Sequence, residues 1–352
     1  MDFSYSMEGY EIVEIFQGLY RIPIPLNGNP LKELNCYVFK KTEDPESRNL
    51  IVDTGFKWDS CYKALIDGLN KLKIDLNKTD IMLTHFHGDH TGNCAKLIRP
   101  GTRVFLGQKE YELVVNADKR SGYINSLAEV SKRFEQYGIS KETIDLMGGE
   151  LITELSADDS FGLDFTPLKE GEIVKAGAYE LKAVFTPGHT PGHMCYEILG
   201  RQSMILGDHV LFDITPNVTA WAASKDSLGD YLKSLDKIDC YDILFPLPGH
   251  RHSGDYHERI SQLKNHHNKR IRECFDSISS LGNAYLNDIA GSVHWKICAS
   301  NWNEFPPIQR WFALGECLAH LDYLYVRGKI REYTDESGIK YFKANICPPN
   351  AN

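Results

Sequence analysis

Short apolar runs broken by glycine and proline open the chain. Ile12, Val13, Ile15, Leu19, Ile22 and Ile24, interrupted at Gly18 and Pro23, predict a β-hairpin over 10–24. Residues 36–39 and 50–52 predict two further strands. Tyr62, Leu65, Ile66 and Leu69 then recur at helical spacing, so 59–72 reads as a helix. A strand at 80–84, a helix starting at 94–98 and a strand at 103–106 continue the alternation, which indicates an α/β layered domain. Residues 108–159 break it. Helical stretches at 110–115 and 126–137, with polar joints at 119–122 and 138–141, predict a helical insertion that is either plain scaffold or a lid over a pocket. Strands resume at 165–168, 172–174, 181–186, 204–206 and 244–247.

The pattern changes again after residue 252. Ile260, Leu263, Ile271, Cys274, Phe275 and Ile278 mark a long amphipathic helix over 257–280. A short helix (285–293) and a long one (307–325) follow. Residues 326–330 and 340–344 then flank the polar turn Thr-Asp-Glu-Ser-Gly at 334–338. Three helices and a β-hairpin are the outline of a winged-helix module. The expected organisation is a main domain over 1–261, carrying the insertion 108–159, and a winged-helix-like C-terminal domain over 262–352.

Composition narrows the class without changing this picture. In 352 residues, 42% hydrophobic and 25% charged content is that of an ordinary globular protein. A net charge of −9 argues against a dedicated nucleic-acid coat. The segment 262–352 carries 11 basic and 9 acidic residues, so its net +2 stands against −11 for the remainder. The first residues carry acidic groups and no apolar core segment, and no apolar run approaches the ~18 residues of a membrane span. The expectation is a soluble, cytoplasmic protein with no membrane partner. Nine scattered cysteines with no C-x-x-C pair read as reduced, mostly buried thiols.

Candidate chemistry concentrates at residues 84–92, Thr-His-Phe-His-Gly-Asp-His-Thr-Gly. Four metal-ligand side chains, His85, His87, Asp89 and His90, fall within six residues directly after an apolar strand. In extended chain, residues i and i+2 point the same way, so His85 and His87 can grip one ion. Gly88 is expected to turn the chain sharply and aim Asp89 and His90 at a second. Later in the chain three strands each end on glycine followed by a ligand-type residue: Gly188–His189, Gly207–Asp208 and Gly249–His250. Asp53, at a strand end before Thr54 and Gly55, could orient a ligand histidine or simply cap a turn. His193, His209 and His252 neighbour ligand positions and are expected to support rather than ligate. His266 and His267 are adjacent on a helix, and adjacent positions do not share a face, which argues against a chelating pair. Residues 217–221 are expected either to line the pocket or to form an ordinary loop.

His-Phe-His-Gly-Asp-His resembles the H-x-H-x-D-H signature of the metallo-β-lactamase fold superfamily. Asn35-Cys36-Tyr37, Asp53-Thr54-Gly55, Thr186-Pro187-Gly188-His189, Gly207-Asp208-His209 and Pro248-Gly249-His250 extend the likeness to its glyoxalase II-type branch. The tail is similar to that of the β-lactamase-like protein 2 group. The resemblance implies a four-layer αβ/βα sandwich. One ion would be held by His85, His87 and His189, the other by Asp89, His90 and His250, with Asp208 bridging and Asp53 orienting a ligand from behind. Zinc suits this set best, and iron and manganese accept similar ligands. The implied chemistry is hydrolysis by a metal-bridging hydroxide, with Asp89 moving protons.

Three functions compete. The first is a thioesterase-like hydrolase of small acyl compounds. The second is a metal-dependent endoribonuclease or phosphodiesterase whose tail contacts RNA; the weak positive charge of that tail ranks it lower. In the third, Trp311, Phe312, Leu314, Leu318 and Leu321 dock the tail onto the main domain or a second copy of the chain.

Overall fold

A computed structural model describes residues 11–115, 122–156, 163–296 and 299–345. In chain order its elements are β1 (Val13–Phe16), β2 (Leu19–Leu26), β3 (Lys32–Phe39), β4 (Asn49–Val52), α1 (Asp59–Lys71), β5 (Thr79–Met82), α2 (Gly88–Thr91), α3 (Cys94–Leu97), β6 (Val104–Gly107) and α4 (Gln108–Val115). Next come α5 (Gly122–Gln136), α6 (Lys141–Ser156), β7 (Phe165–Leu168), β8 (Ile173–Ala176), β9 (Tyr179–Phe185), β10 (Met194–Ile198), β11 (Ser203–Gly207), α7 (Ser227–Ile238) and β12 (Phe245–Pro248). The chain finishes with α8 (Tyr256–Leu281), α9 (Leu286–Ser292), α10 (Pro307–Val326), β13 (Ile330–Thr334) and β14 (Lys340–Ala344).

These elements form two compact units. The first comprises 1–122, 157–216 and 234–260 and contains two sheets. The larger runs β1-β2-β3-β4-β5-β6-β7, antiparallel up to β4 and parallel from there. The smaller runs β12-β11-β10-β9-β8. Alternate residues supply the layer where the sheets face one another: Tyr37 and Phe39, Leu50 and Val52 from one, Leu181 and Ala183, Tyr196 and Ile198 from the other. The parallel strands β4, β5 and β6 are buried throughout, as strands of a parallel sheet within an α/β domain generally are. α1 lies so close to β2 that a Cβ on Gly68 would meet Ile22 at 2.7 Å. This is the α/β sandwich that the sequence predicts.

The second unit gathers 123–156, 217–233 and 261–352. Its three helices and hairpin follow the expected order. The hairpin starts later than expected: Val326 still belongs to α10, and β13 opens at Ile330 after a left-handed Gly328. The inserted helices pack on α10. Phe134 meets Trp311 edge to face at 5.0 Å, and Arg133 makes a two-pronged pair with Asp322 at 2.7 and 2.9 Å. Trp311, Leu314, Leu318 and Leu321 are therefore buried inside this unit, while Phe312 is exposed. Residues 217–221 pack here too, with the Ala220 amide donating to the Gly315 carbonyl at 3.2 Å. Among the described residues no helix is long and apolar enough to cross a membrane.

Candidate metal centre

Five loops of the first unit converge where the strands end. β4 delivers Asp53, β5 delivers the segment 84–90, the β9–β10 turn carries His189, β11 delivers Asp208, and β12 delivers His250. All seven expected ligand residues come together there, and all except half-buried His87 are buried.

Three imidazole nitrogens form one set. His85 Nε2 lies 2.9 Å from His87 Nδ1, His189 Nε2 lies 3.0 Å from His87 Nδ1, and His189 Nε2 lies 3.3 Å from His85 Nε2. Nitrogens 2.0–2.1 Å from one tetrahedral ion would be separated by about 3.3 Å. A second set stands beside it. His250 Nε2 is 3.2 Å from Asp89 Oδ2, and His90 Nε2 is 3.6 Å from the same atom. Asp208 turns one oxygen to each set. Its Oδ1 is 3.3 Å from His250 Nε2 and 3.5 Å from His90 Nε2, while Oδ2 is 3.8 Å from His189 Nε2.

The backs of these rings are fixed. His90 Nδ1 is 2.8 Å from Asp53 Oδ2, and His250 Nδ1 donates to the Glu33 carbonyl at 2.8 Å. Donation from Nδ1 means that in the neutral ring the lone pair of His250 sits on Nε2 and faces inward. Asp53 also accepts from the Thr84 amide and hydroxyl, both at 2.9 Å. It does so from a left-handed backbone (φ 60°), a conformation that costs a non-glycine residue roughly 1–3 kcal/mol and marks a position held for its side chain. His193 is a support: the Asp208 amide donates to its Nε2 at 3.2 Å, and its Nδ1 meets Thr186 Oγ1 at 2.8 Å. His209 is buried beside it, and half-exposed His252 pairs with Asp213 instead.

Gly88 does not act as expected. It adopts no left-handed conformation but opens the helix α2, whose first turn carries Asp89 and His90 to the second set. Gly207 is left-handed (φ 49°), and a Cβ there would lie 2.6 Å from His193 Nε2. At Gly249 a Cβ would lie 2.5 Å from Asp208 Oδ1, so the peptide approaches the carboxylate more closely than any larger residue allows.

Electrostatics separate the two sets. Burial and the neighbouring imidazoles hold His85 well below the usual histidine range, and burial with His189 pushes His87 down to about 3. Burial opposes charge on His90 and His250 too, but Asp53, Asp89 and Asp208 outweigh it around His90, raising it, and Asp208 with Asp89 raises His250 to about 10. A field that stabilises imidazolium there would equally stabilise a cation. His90 Nε2, His250 Nε2 and Asp208 Oδ1 are buried without a hydrogen-bond partner. Neutral imidazoles at His85 and His87, ionised carboxylates that hold positive charge beside His90 and His250, and orphaned inward atoms make a set that a pair of divalent ions fits, the cations replacing the protons of the second set.

Two supports were not read as such from the sequence, although Asn35 stands in the motif Asn35-Cys36-Tyr37. Glu110, buried in the first turn of α4, accepts the Phe86 amide at 3.1 Å and the Gly192 amide, tying two ligand loops together. Asn35 donates to the carbonyls of Pro248 and Arg251, both at 2.9 Å, and so steadies the turn that presents His250.

A family model described as Metallo-beta-lactamase superfamily matches residues 33–250, and one described as Metallo-beta-lactamase-like, C-terminal domain, matches 303–345. A lactamase-like protein of Neosartorya fischeri is 23% identical over 70% of this chain and 58% of its own length. An atrochrysone carboxyl ACP thioesterase of Emericella nidulans is 23% identical over 68% of this chain and 58% of its own length. The chain thus spans under two thirds of these relatives. Among solved structures, a metallo-beta-lactamase family protein of Thermus thermophilus superposes with a TM-score of 0.78 at 26% identity, covering 94% of this chain and 100% of that one. A beta-lactamase domain protein of Burkholderia ambifaria gives 0.76 at 22% identity, over 97% and 98%.

Proposed function

Because the chain belongs to the metallo-beta-lactamase superfamily, we propose that it is a hydrolase dependent on two divalent cations, zinc in the first instance, and that it cleaves thioesters or related small acyl compounds. The observation that carries this reading is Asp208, whose two oxygens face two separate nitrogen-rich sets. His85, His87 and His189 would hold one ion and Asp89, His90 and His250 the other. Bound there, the ions would supply an activated water nucleophile at neutral pH and polarise the acyl oxygen.

The remaining work belongs to the chain. Asp53 and the Glu33 carbonyl fix ring orientation at His90 and His250. Asp89 turns Oδ2 to His250 and can take a proton on Oδ1 and return it to the leaving group. A thiol with a pKa near 8.5 departs with little help, so a site without a strong general acid suits a thioester better than an amide or a phosphodiester. The thioesterase name of the Emericella relative supports the same substrate class. The helices α8, α9 and α10 followed by the β13–β14 hairpin support a winged-helix-like accessory role for the second unit.

The test is a panel assay of the zinc-loaded protein on acyl thioesters, lactones, phosphodiesters and single-stranded RNA. Thioester turnover that falls at least ~100-fold in His85→Ala is expected, since one ion loses a ligand. Turnover of RNA alone, declining steeply with salt, would replace this reading with the nuclease. Turnover indifferent to His85→Ala would end the two-ion mechanism.

A further inference from the structure

The second unit contains a cluster of the same residue types, far in sequence from the centre described above. His266 and His267 on α8 and Glu316 on α10 each place a ligand atom within 4.8 Å of the others. Adjacent helix positions diverge by about 100°, yet α10 runs close enough for Glu316 to meet both. Its Oε1 is 3.8 Å from His266 Nε2.

Hydrogen bonding within the second unit leaves this cluster incomplete. His320 donates from Nδ1 to the Glu316 carbonyl at 2.7 Å, so its Nε2 carries a lone pair. That lone pair faces His267 Nδ1 at 3.2 Å. The opposite nitrogen, His267 Nε2, is buried with no partner, on a residue that is 0% exposed. Glu316 Oε1 is likewise buried without a hydrogen bond. An unsatisfied buried polar atom costs roughly 1–3 kcal/mol, more when charged. Two in one small cluster call for a missing partner. Arg270, whose charge acts on both His267 and Glu316, makes its hydrogen bonds away from them. It donates to Glu273 at 2.9 Å and to the His294 carbonyl at 2.6 Å, and it stacks on Trp295. Burial keeps the His267 imidazole neutral, the form that ligates.

We infer a second cation site, held by His266, His267 and Glu316, that takes a divalent transition-metal ion and clamps α8 to α10. Two imidazoles and a carboxylate favour zinc-type ions over magnesium or calcium, which prefer all-oxygen sets. Half-exposed His266 gives the ion a way in.

The site is independent of the proposed hydrolase, so its test is a difference in metal content. The full-length protein, Glu316→Gln and His266→Ala are each equilibrated in a zinc buffer, stripped of loose ion and analysed for zinc per chain. Each variant is expected to hold one equivalent less than the parent, whatever number the seven-residue centre retains. Replacing zinc with cobalt should show the loss of one absorbing site in each variant. His266 is the mildest position to change, so His266→Ala decides the question if Glu316→Gln does not fold. Equal zinc in the parent and His266→Ala overturns the site, as does a loss confined to Glu316→Gln, since the three-residue set requires both.

Discussion

Asp53 combines three contacts in one side chain: it accepts from the Thr84 amide and hydroxyl and pairs with His90 Nδ1, all from a left-handed backbone. Asp53→Ala removes the carboxylate and keeps the strain, whereas Asp53→Gly removes both. Partners behind a ligand imidazole are generally worth 10–100-fold in metal affinity or activity. Both variants should therefore bind the ion at His90 about 10–100-fold more weakly by chelator competition, with Asp53→Gly the more stable in urea. Full affinity in Asp53→Gly would show that the carboxylate does not orient the ring. The sequence exposed Asp53 because it stands at a strand end before a turn glycine. It also exposed the segment 85–90, where four ligand-type residues crowd into six positions. Glu110 stayed hidden because the Phe86 amide it accepts lies 24 residues away and no local spacing records the pairing.

Elements were legible where apolar residues kept one period over several turns. The parallel strands β4 and β5 were marked by the short apolar runs at 50–52 and 81–83, and α1, α8 and α10 by helical spacing. β10 was missed because it starts one residue after the ligand-rich turn that ends at His193, where glycine and proline dominate the local pattern. α7 was missed although Leu228, Tyr231, Leu235 and Ile238 carry a helical period, because it stands between two ligand loops that look irregular throughout. The coupling of β3 to the β12 turn could not be read at all, since Asn35 and Pro248 are 213 positions apart. It is testable at this scale. Asn35→Ala leaves the Pro248 and Arg251 carbonyls short of a donor and loosens the presentation of His250. Zinc should be extracted from the variant by a chelator severalfold faster than from the parent, with the far-UV spectrum unchanged. Equal extraction rates would mean that the turn holds His250 without help from β3.

At the scale of the whole molecule the sequence showed an insertion and a tail as separate additions, and the structure groups them. Residues 123–156, 217–233 and 261–352 form one unit because α10 is apolar on the faces that the inserted helices need. Periodicity identifies an apolar face but not its partner, and Arg133 and Asp322 pair across 189 positions. Trp311 is where this grouping can be measured. It is 2% exposed, meets Phe134 at 5.0 Å, and stands so near α6 that a Cβ on Gly148 would lie 3.0 Å from its ring. Trp311→Ala removes a large ring from a packed layer and should cost about 3–5 kcal/mol, read from the urea midpoint. Phe312, one position along and 39% exposed, is the control, and Phe312→Ala should cost under about 1 kcal/mol. The two aromatics differ by a single step along α10, so composition, propensity and position in the chain are nearly matched, and only the direction of the side chain separates them. Equal losses would place the buried face of α10 elsewhere and dissolve the unit that joins insertion to tail.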